Sequence, residues 1–255
     1  MLRRYLYPSL VLTAIVAVAL GLVYPIAMTG IGQAVFPFRA DGSLIKVNGK
    51  VVGSALIGQE FLDKSGNPDP KYFQPRPSDA GAGYDASESS ASNLGPGDPR
   101  LVGNVPGLNI TTKTNPYATP DDPWCLPVQA TDKNGNDLTD KSGNPVYEKN
   151  KDGTYVCNPN TVPERALAYR KVNHLSKTVK IPVDAVTASG SGLDPDISPA
   201  NANLQAARVA SARHLSLSVI TALIKAHTNG RQWGFLGEKT VNVLDLNLAL
   251  DKLQR

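Results

Sequence analysis

The N-terminal segment constrains the fold most strongly, because no charged residue occurs between Tyr5 and Phe38. It includes 23 uncharged residues from Leu6 to Met28, and an α-helix needs about 20 such residues to cross the hydrocarbon core of a bilayer. A cleaved signal peptide could use Arg3 and Arg4 as its basic start, but the stretch exceeds the roughly 7–15 residues of a signal-peptide core and no good A-x-A cleavage site follows. A buried core helix fits this length less well. The sequence therefore predicts an uncleaved transmembrane helix within residues 1–30.

The charges that flank this helix bear on its orientation. Arg3 and Arg4 lie on one side, and Arg39 and Lys46 are the first cations on the other side, so the cations within about 20 residues are nearly balanced. Because the arginine pair is nearer to the apolar segment and the N-terminal tail is short, we expect the N-terminus in the cytoplasm. Residues 31–255 would then form a single extracytoplasmic domain.

The overall composition narrows the classes of function. A chain of 255 residues holds one ordinary domain with some excess. Its formal net charge of +4 is spread along the chain, with no run of lysine and arginine interleaved with aromatic residues, so we expect no nucleic-acid partner. The three histidines lack the spacing of a metal site, and the sequence contains no P-loop motif. We therefore expect neither a bound metal nor catalysis by this chain.

Turn and capping signals predict the secondary structure. Asn48-Gly49 between two β-favouring runs indicates a hairpin, because both turn positions need a positive φ. Four helix starts follow in the last third of the chain, each marked by a residue that can cap the first turn: Thr161, Ser198, Ser216 and Asn242. Val241 to Leu248 also alternates like a strand, but we favour the helix there. A hairpin followed by helices predicts an α+β domain behind the membrane helix.

A turn-rich region interrupts this pattern. Between Gly95 and Val162 the chain has 9 Pro, 9 Asn and 7 Gly among 68 residues, which predicts an inserted subdomain at about 101–162. Both cysteines, Cys125 and Cys157, lie inside it. Outside the cytoplasm they could form a disulfide that stabilises the loop by roughly 3–4 kcal/mol. Two free thiols are the alternative.

Two local motifs have both a functional and a structural interpretation. Asp63-Lys64-Ser65-Gly66 and Asp140-Lys141-Ser142-Gly143 resemble the phosphorylation site of P-type ATPases, but their repetition in polar sequence favours hairpin turns. The run from Thr187 to Asp194 is rich in Gly and Ser and precedes a helix start, where backbone N–H groups can bind an anion. A tight turn is the more common role of such a run, and it is our expectation here.

Short segments spread through the chain carry a family resemblance. They are Gly32-Gln33, Phe36-Pro37, Gly42 to Ile45, Gly53 to Gln59, Tyr72-Phe73, Arg76-Pro77-Ser78, Ser92-Asn93-Leu94, Val183, Val186 to Ser189, Ser191 to Asp194, Arg208-Val209-Ala210, Ala212-Arg213, Leu215-Ser216, Val241-Asn242-Val243 and Leu246 to Asp251. Together with the single N-terminal span, they resemble the C subunit of the Kdp-type potassium-transporting P-type ATPase. The resemblance covers the span and nearly all of the domain except about residues 101–162, for which short family members have no counterpart.

The resemblance implies an accessory, non-catalytic subunit of a high-affinity, ATP-driven potassium importer in the bacterial inner membrane. Its partners would be a channel-like subunit and an ATP-hydrolysing P-type subunit, besides the lipid bilayer. Subunits of this family are described as catalytic chaperones that raise the ATP affinity of the pump, so ATP is implied as a shared ligand and no tightly bound cofactor is expected. A glutamine ahead of the Arg-Val-Ala motif is implicated in this nucleotide role, and Gln205 occupies that position.

The role of Gln205 and the function as a whole each have an alternative. Gln205 could be an ordinary polar residue on a helix surface, which the physical argument favours. An extracytoplasmic domain could not bring Gln205 to cytoplasmic ATP. The predicted orientation and a direct nucleotide role for Gln205 therefore cannot both be correct. The alternative function is an independent, membrane-anchored extracytoplasmic binding protein, with the disulfide-linked insertion as its binding module.

Overall fold

The computed structural model describes residues 2–95, 127–133 and 135–253. The chain divides into two compact units, Met1–Leu56 and Ile57–Arg255. The first unit contains the apolar helix and the predicted hairpin, and the second contains the helices of the last third together with short strands. Helices and antiparallel strands therefore coexist as the α+β prediction requires.

A helical run makes up most of the first unit. It consists of α1 (Leu2–Val18), a π-helical turn (Ala19–Val23), α2 (Tyr24–Val35) and the short α3 (Pro37–Ala40). The π-helical turn lies just before Pro25, because proline lacks an N–H and its ring clashes with the carbonyl of Gly21 four residues earlier. The stretch Arg4–Val35 is 32 residues long, and its most apolar part has a mean hydropathy of 2.5 and is 0% buried. Its length and composition suit a membrane span.

The predicted hairpin completes the first unit. Strands β1 (Leu44–Val47) and β2 (Lys50–Ser54) pair antiparallel around Asn48-Gly49. The φ angles of the two turn residues are 51° and 79°, which are positive as this two-residue turn requires. The hairpin prediction is confirmed.

Helices and short strands alternate in the last part of the second unit. They are α4 (Val162–Val172), β3 (Asp196–Ile197), α5 (Pro199–Ala212), α6 (Leu217–Ala226), β4 (Thr228–Asn229), β5 (Thr240–Asn242) and α7 (Val243–Lys252). The three strands form an antiparallel sheet in the order β3-β5-β4. At each α-helix the predicted capping side chain accepts a hydrogen bond from the backbone N–H three residues further on: Thr161, Ser198, Ser216 and Asn242. The four predicted helix starts are thus confirmed. The segment after Asn242, which could also have been a strand, is a helix as predicted.

The hydrophobic core of the second unit lies where α5, α6, α7 and the sheet meet. Ile220 and Ile224 of α6 and Leu246 and Leu250 of α7 are at most 2% exposed, because residues four apart share one face of a helix. Phe73, which comes from a segment without regular secondary structure far earlier in the chain, is fully buried in the same cluster. The core therefore depends on how this segment is held.

Tight turns organise the described part of the predicted insertion. Antiparallel bridges connect Thr131 to Asp137, Thr139 to Pro145, and Lys149 to Tyr155. In the middle turn, Asp140 Oδ1 accepts hydrogen bonds from the backbone N–H groups of Ser142 and Asn144 at 2.8 and 2.9 Å. Asp63 makes the same two bonds in its own turn. Both Asp-Lys-Ser-Gly motifs are therefore turns, as expected.

The Gly/Ser-rich run is a tight turn packed against the chain near Ala80. Gly192 O accepts a hydrogen bond from Ser78 Oγ at 2.6 Å, and Ser191 O accepts one from the N–H of Ser90 at 3.0 Å. Gly192 has a φ of +70°, and a Cβ at this position would lie 2.6 Å from Ser90 O and 2.8 Å from Ala80 N. Only glycine fits this close approach.

The start of helix α5, which follows this run, is already bonded to a carboxylate of the protein. Asp184 accepts hydrogen bonds from the N–H of Ser198 at 2.7 Å, from Ser198 Oγ at 2.9 Å and from Asn201 Nδ2 at 3.0 Å. A negative charge is favourable at a helix N-terminus, and Asp184 supplies it. The tight-turn interpretation of the Gly/Ser-rich run is therefore the correct one.

We expect Gly192→Ala to destabilise the second unit by about 2–3 kcal/mol, because alanine at this φ is strained and its Cβ meets fixed backbone atoms. Hydrogen exchange of the neighbouring amides of Gly58 and Ser90, which bond to Leu193 O and Ser191 O, would accelerate by about 30-fold or more. Gly190→Ala is the matched control, since a Cβ there meets nothing within 4 Å. Equal exchange rates in both variants would contradict the prediction.

Candidate functional site

Helix α5 has a polar stripe that faces the interior of the second unit. Asn201, Gln205 and Arg208 are 0%, 1% and 5% exposed, and their spacing of four and three residues places them in one row along the helix. The helix also buries Ala202, Ala206 and Val209 in the core. Gln205 is therefore not a helix-surface residue, and that interpretation of the sequence is wrong.

The side-chain amide of Gln205 uses all of its hydrogen-bonding capacity inside the protein. Its Oε1 accepts from the N–H of Gln74 at 2.7 Å and from Arg208 Nη2 at 2.8 Å. Its Nε2 donates to Gln74 O at 3.0 Å and to Asn201 Oδ1 at 2.9 Å. A glutamine amide has two donor hydrogens and two acceptor lone pairs. A ligand could bind this amide only by displacing one of these four bonds.

Arg208 is a buried cation that bonds to neutral oxygens. Its Nη1 donates to the backbone carbonyls of Pro70 and Tyr72 at 2.8 and 3.0 Å, and its Nε donates to Asn173 Oδ1 at 2.9 Å. A weaker bond of 3.3 Å reaches Asp69 O. Burial lowers the pKa of Arg208 to about 10, so the guanidinium is still charged at neutral pH. Because the folded pKa lies below the ordinary one, the buried charge opposes folding below pH 10, and this cost is relieved as the pH rises through that value.

Two further side chains bond to the segment Asp69–Gln74, which we call the clamped segment. Asn247 of α7 accepts from the N–H of Phe73 and donates to its carbonyl, both at 2.9 Å. Arg213, directly after α5, donates from Nε to Lys71 O at 2.7 Å. The segment makes a turn in which the Tyr72 N–H bonds to Asp69 O at 3.1 Å. Its other backbone polar groups also need partners, and side chains of α5 and α7 together with Arg213 provide several of them.

A cleft of about 180 Å³ opens beside this network. Its apolar lining comes from Pro68, Pro75, Pro77, Ala168, Val172 and Ala185, and Gln205, Arg208 and Tyr169 also reach it. Tyr169 Oη donates to Asn201 Oδ1 at 2.7 Å, and burial raises the pKa of Tyr169, which keeps the phenol protonated. The groups of these three residues that could bind a nucleotide are thus already bonded within the protein.

The three histidines form none of the hydrogen bonds of this network. His174 and His214 follow helices α4 and α5 with φ angles of 54°, and His227 ends α6. No group of three or more potential metal-binding side chains occurs within residues 2–95, 127–133 and 135–253. Cys157 carries no free thiol, and Cys125 lies outside the described residues. The Cys125–Cys157 pairing itself therefore stays a prediction.

Sequence reasoning assigned Gln205 by resemblance but gave no structural role to Asn201, Arg208 or Asn247. The available signal was the spacing of Asn201, Gln205 and Arg208, which places three large polar side chains on one stripe of a helix otherwise rich in Ala and Val. The backbone partners of Gln205 and Arg208 in the clamped segment are 131 to 139 residues away in the sequence, and local patterns carry no information about such contacts.

Within residues 2–95, 127–133 and 135–253, the chain combines one helix that is long and apolar enough to span a membrane with an α+β unit built around a buried polar network. A family model described as "K+-transporting ATPase, c chain" (KdpC) matches residues 6–138 and 149–252. The chain therefore belongs to the KdpC family of potassium-transporting ATPase subunits.

Curated relatives agree along the whole chain. The potassium-transporting ATPase KdpC subunit of Mycobacterium tuberculosis (strain ATCC 25618 / H37Rv) is 42% identical over 252 residues, which cover 99% of this chain and 100% of the relative. Those of Caulobacter vibrioides (strain NA1000 / CB15N) and Gemmatimonas aurantiaca are 43% and 40% identical over 248 and 253 residues, covering 97% and 99% of this chain and 92% and 94% of the relatives. Relatives of this length span the turn-rich region as well.

We expect Arg208→Lys to destabilise the second unit by about 2–4 kcal/mol, because a single ammonium cannot reach the carbonyls of Pro70 and Tyr72 and the Asn173 amide at once. The midpoint of denaturant unfolding of the full chain in detergent measures this loss. Arg231→Lys is the control: Arg231 is 44% exposed and forms a surface ion pair with Glu238, which contributes little. A midpoint for Arg208→Lys equal to that of the control would show that the clamp is not needed.

Proposed function

We propose that this chain is a non-catalytic accessory subunit of a high-affinity, ATP-driven potassium importer. The observation that carries the proposal is the family match, which includes the apolar helix and nearly all of the second unit. The relatives are named as subunits of a potassium-transporting ATPase. The partners are then a channel-like subunit and an ATP-hydrolysing P-type subunit. The alternative of an independent binding protein predicts a stable lone chain after detergent purification, whereas the accessory role predicts co-purification with both partners.

We further propose that Arg4–Val35 anchors the chain in the bacterial inner membrane, with the N-terminus in the cytoplasm and the second unit outside. The flanking Arg3 and Arg4 support this orientation. The bonding state of Gln205 is also compatible with it, since an amide that is saturated inside the protein needs no access to cytoplasmic ATP.

The orientation predicts that protease added to intact spheroplasts removes an epitope placed after Arg255. A cytoplasmic protein in the same sample serves as the control for membrane integrity and should remain whole. Protection of the epitope until the membrane is permeabilised would place the second unit in the cytoplasm and allow direct contact with ATP.

The subunit raises the ATP affinity of its partner indirectly in this proposal. Gln205 fixes Gln74, Arg208 fixes Pro70 and Tyr72, and Asn247 fixes Phe73, so the three side chains share one task. The clamped segment, held in one conformation, presents a fixed surface for docking on the complex. ATP is then a ligand of the ATP-hydrolysing subunit, and Gln205 is a positioning residue.

The indirect role predicts that Gln205→Leu and Asn247→Asp raise the KM for ATP of the assembled pump by a similar factor, because each removes bonds to the clamped segment. Ser211→Leu on the exposed face of α5 should leave the KM unchanged. Photolabelling with an azido-ATP analogue should modify the ATP-hydrolysing subunit and not this chain. A KM effect of Gln205→Leu without one of Asn247→Asp, or labelling of this chain, would favour direct contact.

A further inference from the structure

A hairpin tip in the second unit exposes large apolar side chains to solvent. Trp233, Phe235 and Leu236 are 85%, 68% and 42% exposed, although aromatic residues make up only 6% of the chain. They lie between β4 and β5 on the stretch 231–239, which we call the aromatic tip. Large exposed apolar groups that cluster at one site commonly mark a contact surface.

Backbone hydrogen bonds and an ion pair hold the aromatic tip in a hairpin. Gln232 and Leu236 exchange two backbone hydrogen bonds of 2.9 Å each, and an ion pair of 2.7 Å joins Arg231 to Glu238 below them. Trp233 adopts a left-handed conformation with a φ of 51°, which is unusual for a bulky residue. Unfavourable backbone conformations of this kind concentrate at functional sites, and this one holds the indole ring in solvent.

A basic groove of about 490 Å³ lies beside the aromatic tip. Lys225 and Lys239 line it, together with Thr221, Thr228 and Asn229. Neither lysine forms an ion pair within the described part of the chain. The groove thus presents two exposed ammonium groups without carboxylate partners beside hydroxyl and amide groups, with Pro199 and Ile224 as its apolar part. This arrangement complements a phosphate-bearing headgroup in charge.

The combination of an apolar tip and an adjacent basic groove matches the boundary between lipid tails and headgroups. Tryptophan is enriched at that boundary, and lysine side chains there direct their charges to the headgroups. Only 21 residues, Phe36 to Leu56, separate the end of α2 from the second unit. Even fully extended they would span about 70 Å, so an anchored α2 would limit the distance of the second unit from the bilayer. Such a tether makes a weak surface contact effective.

We propose that the aromatic tip inserts into the interfacial region of the membrane and that the basic groove binds the headgroup of an anionic phospholipid. This inference rests on the proposed membrane anchorage of the chain. It gives the second unit a second attachment to the bilayer, separate from the apolar helix and from the clamped segment.

Trp233 is itself the probe for this contact, because the chain has two tryptophans and Trp124→Phe leaves Trp233 alone. The full chain with this change is reconstituted into nanodiscs, with and without the other subunits, and the signal of Trp233 in the complex is the difference from a matched Trp233→Phe sample. Brominated acyl chains quench tryptophans that enter the membrane, and aqueous iodide quenches those that remain in water. We expect quenching by brominated lipid to exceed quenching by iodide at least several-fold in anionic nanodiscs and to fall in zwitterionic ones.

Two variants and one control separate the parts of the proposal. Phe235→Ser should reduce lipid quenching by weakening insertion, and Lys225→Ser with Lys239→Ser should remove the preference for anionic lipid. Lys64→Ser with Lys141→Ser changes the net charge equally on two exposed turns outside this surface and should leave the preference intact. An equal effect of both lysine pairs would overturn the headgroup site.

Comparing nanodiscs with and without the other subunits distinguishes failure of this inference from failure of the proposed function. Quenching of Trp233 by iodide in nanodiscs that contain the assembled complex would overturn lipid insertion and leave the accessory role standing. Protection of Trp233 from both quenchers would show that a protein partner covers the tip, which also overturns lipid insertion. Lipid quenching in a chain that never assembles with the other subunits would support the inference and contradict the accessory role.

Discussion

Arg208 carries a positive charge into the interior of the second unit, where neutral oxygens replace its hydration. The carbonyls of Pro70 and Tyr72 are its closest backbone partners, and the amides of Asn173 and Gln205 complete the set. Removing water from a charge is costly unless every replaced hydrogen bond is regained. The clamped segment is therefore held in place, because its backbone carbonyls replace the water around this charge. Phe73 is inserted into the core as part of the same arrangement.

The burial of the Arg208 charge also limits the role that the family resemblance implies for Gln205. A glutamine on a helix surface can be exchanged or recruited by a ligand at little cost. Gln205 instead completes a buried network that includes a cation, and freeing its amide would leave backbone groups of Gln74 unpaired at about 1–3 kcal/mol each. The proposed indirect influence on the pump therefore needs fewer broken bonds than direct contact with ATP, and it is also compatible with the proposed extracytoplasmic position of the second unit.

Local chemistry and long-range packing differ in how far the sequence predicts them. The hairpin at Asn48-Gly49 and the four capped helices are correct because a turn or cap is decided by residues within a few positions of each other. The clamped segment has no periodicity, since its partners are Arg208 and Asn247 rather than a neighbouring strand, and the sequence before Pro77 therefore resembles an ordinary loop. Gln205 was assigned to the surface for the same reason: helical spacing shows which side chains share a face, but not whether a second, polar face is buried.

The motifs that carry the resemblance are largely paired with one another in space. Arg76 binds Asp194 at 3.0 Å, and Ser78 binds Gly192 at 2.6 Å, so Arg76-Pro77-Ser78 and Ser191 to Asp194 form one contact. Tyr72-Phe73 likewise meets the last helix through Asn247. These motifs hold the second unit together, and their presence accounts for the fold more directly than for the function. The aromatic tip at Trp233 lies outside these motifs, and its exposed side chains take no part in the contacts that pair them.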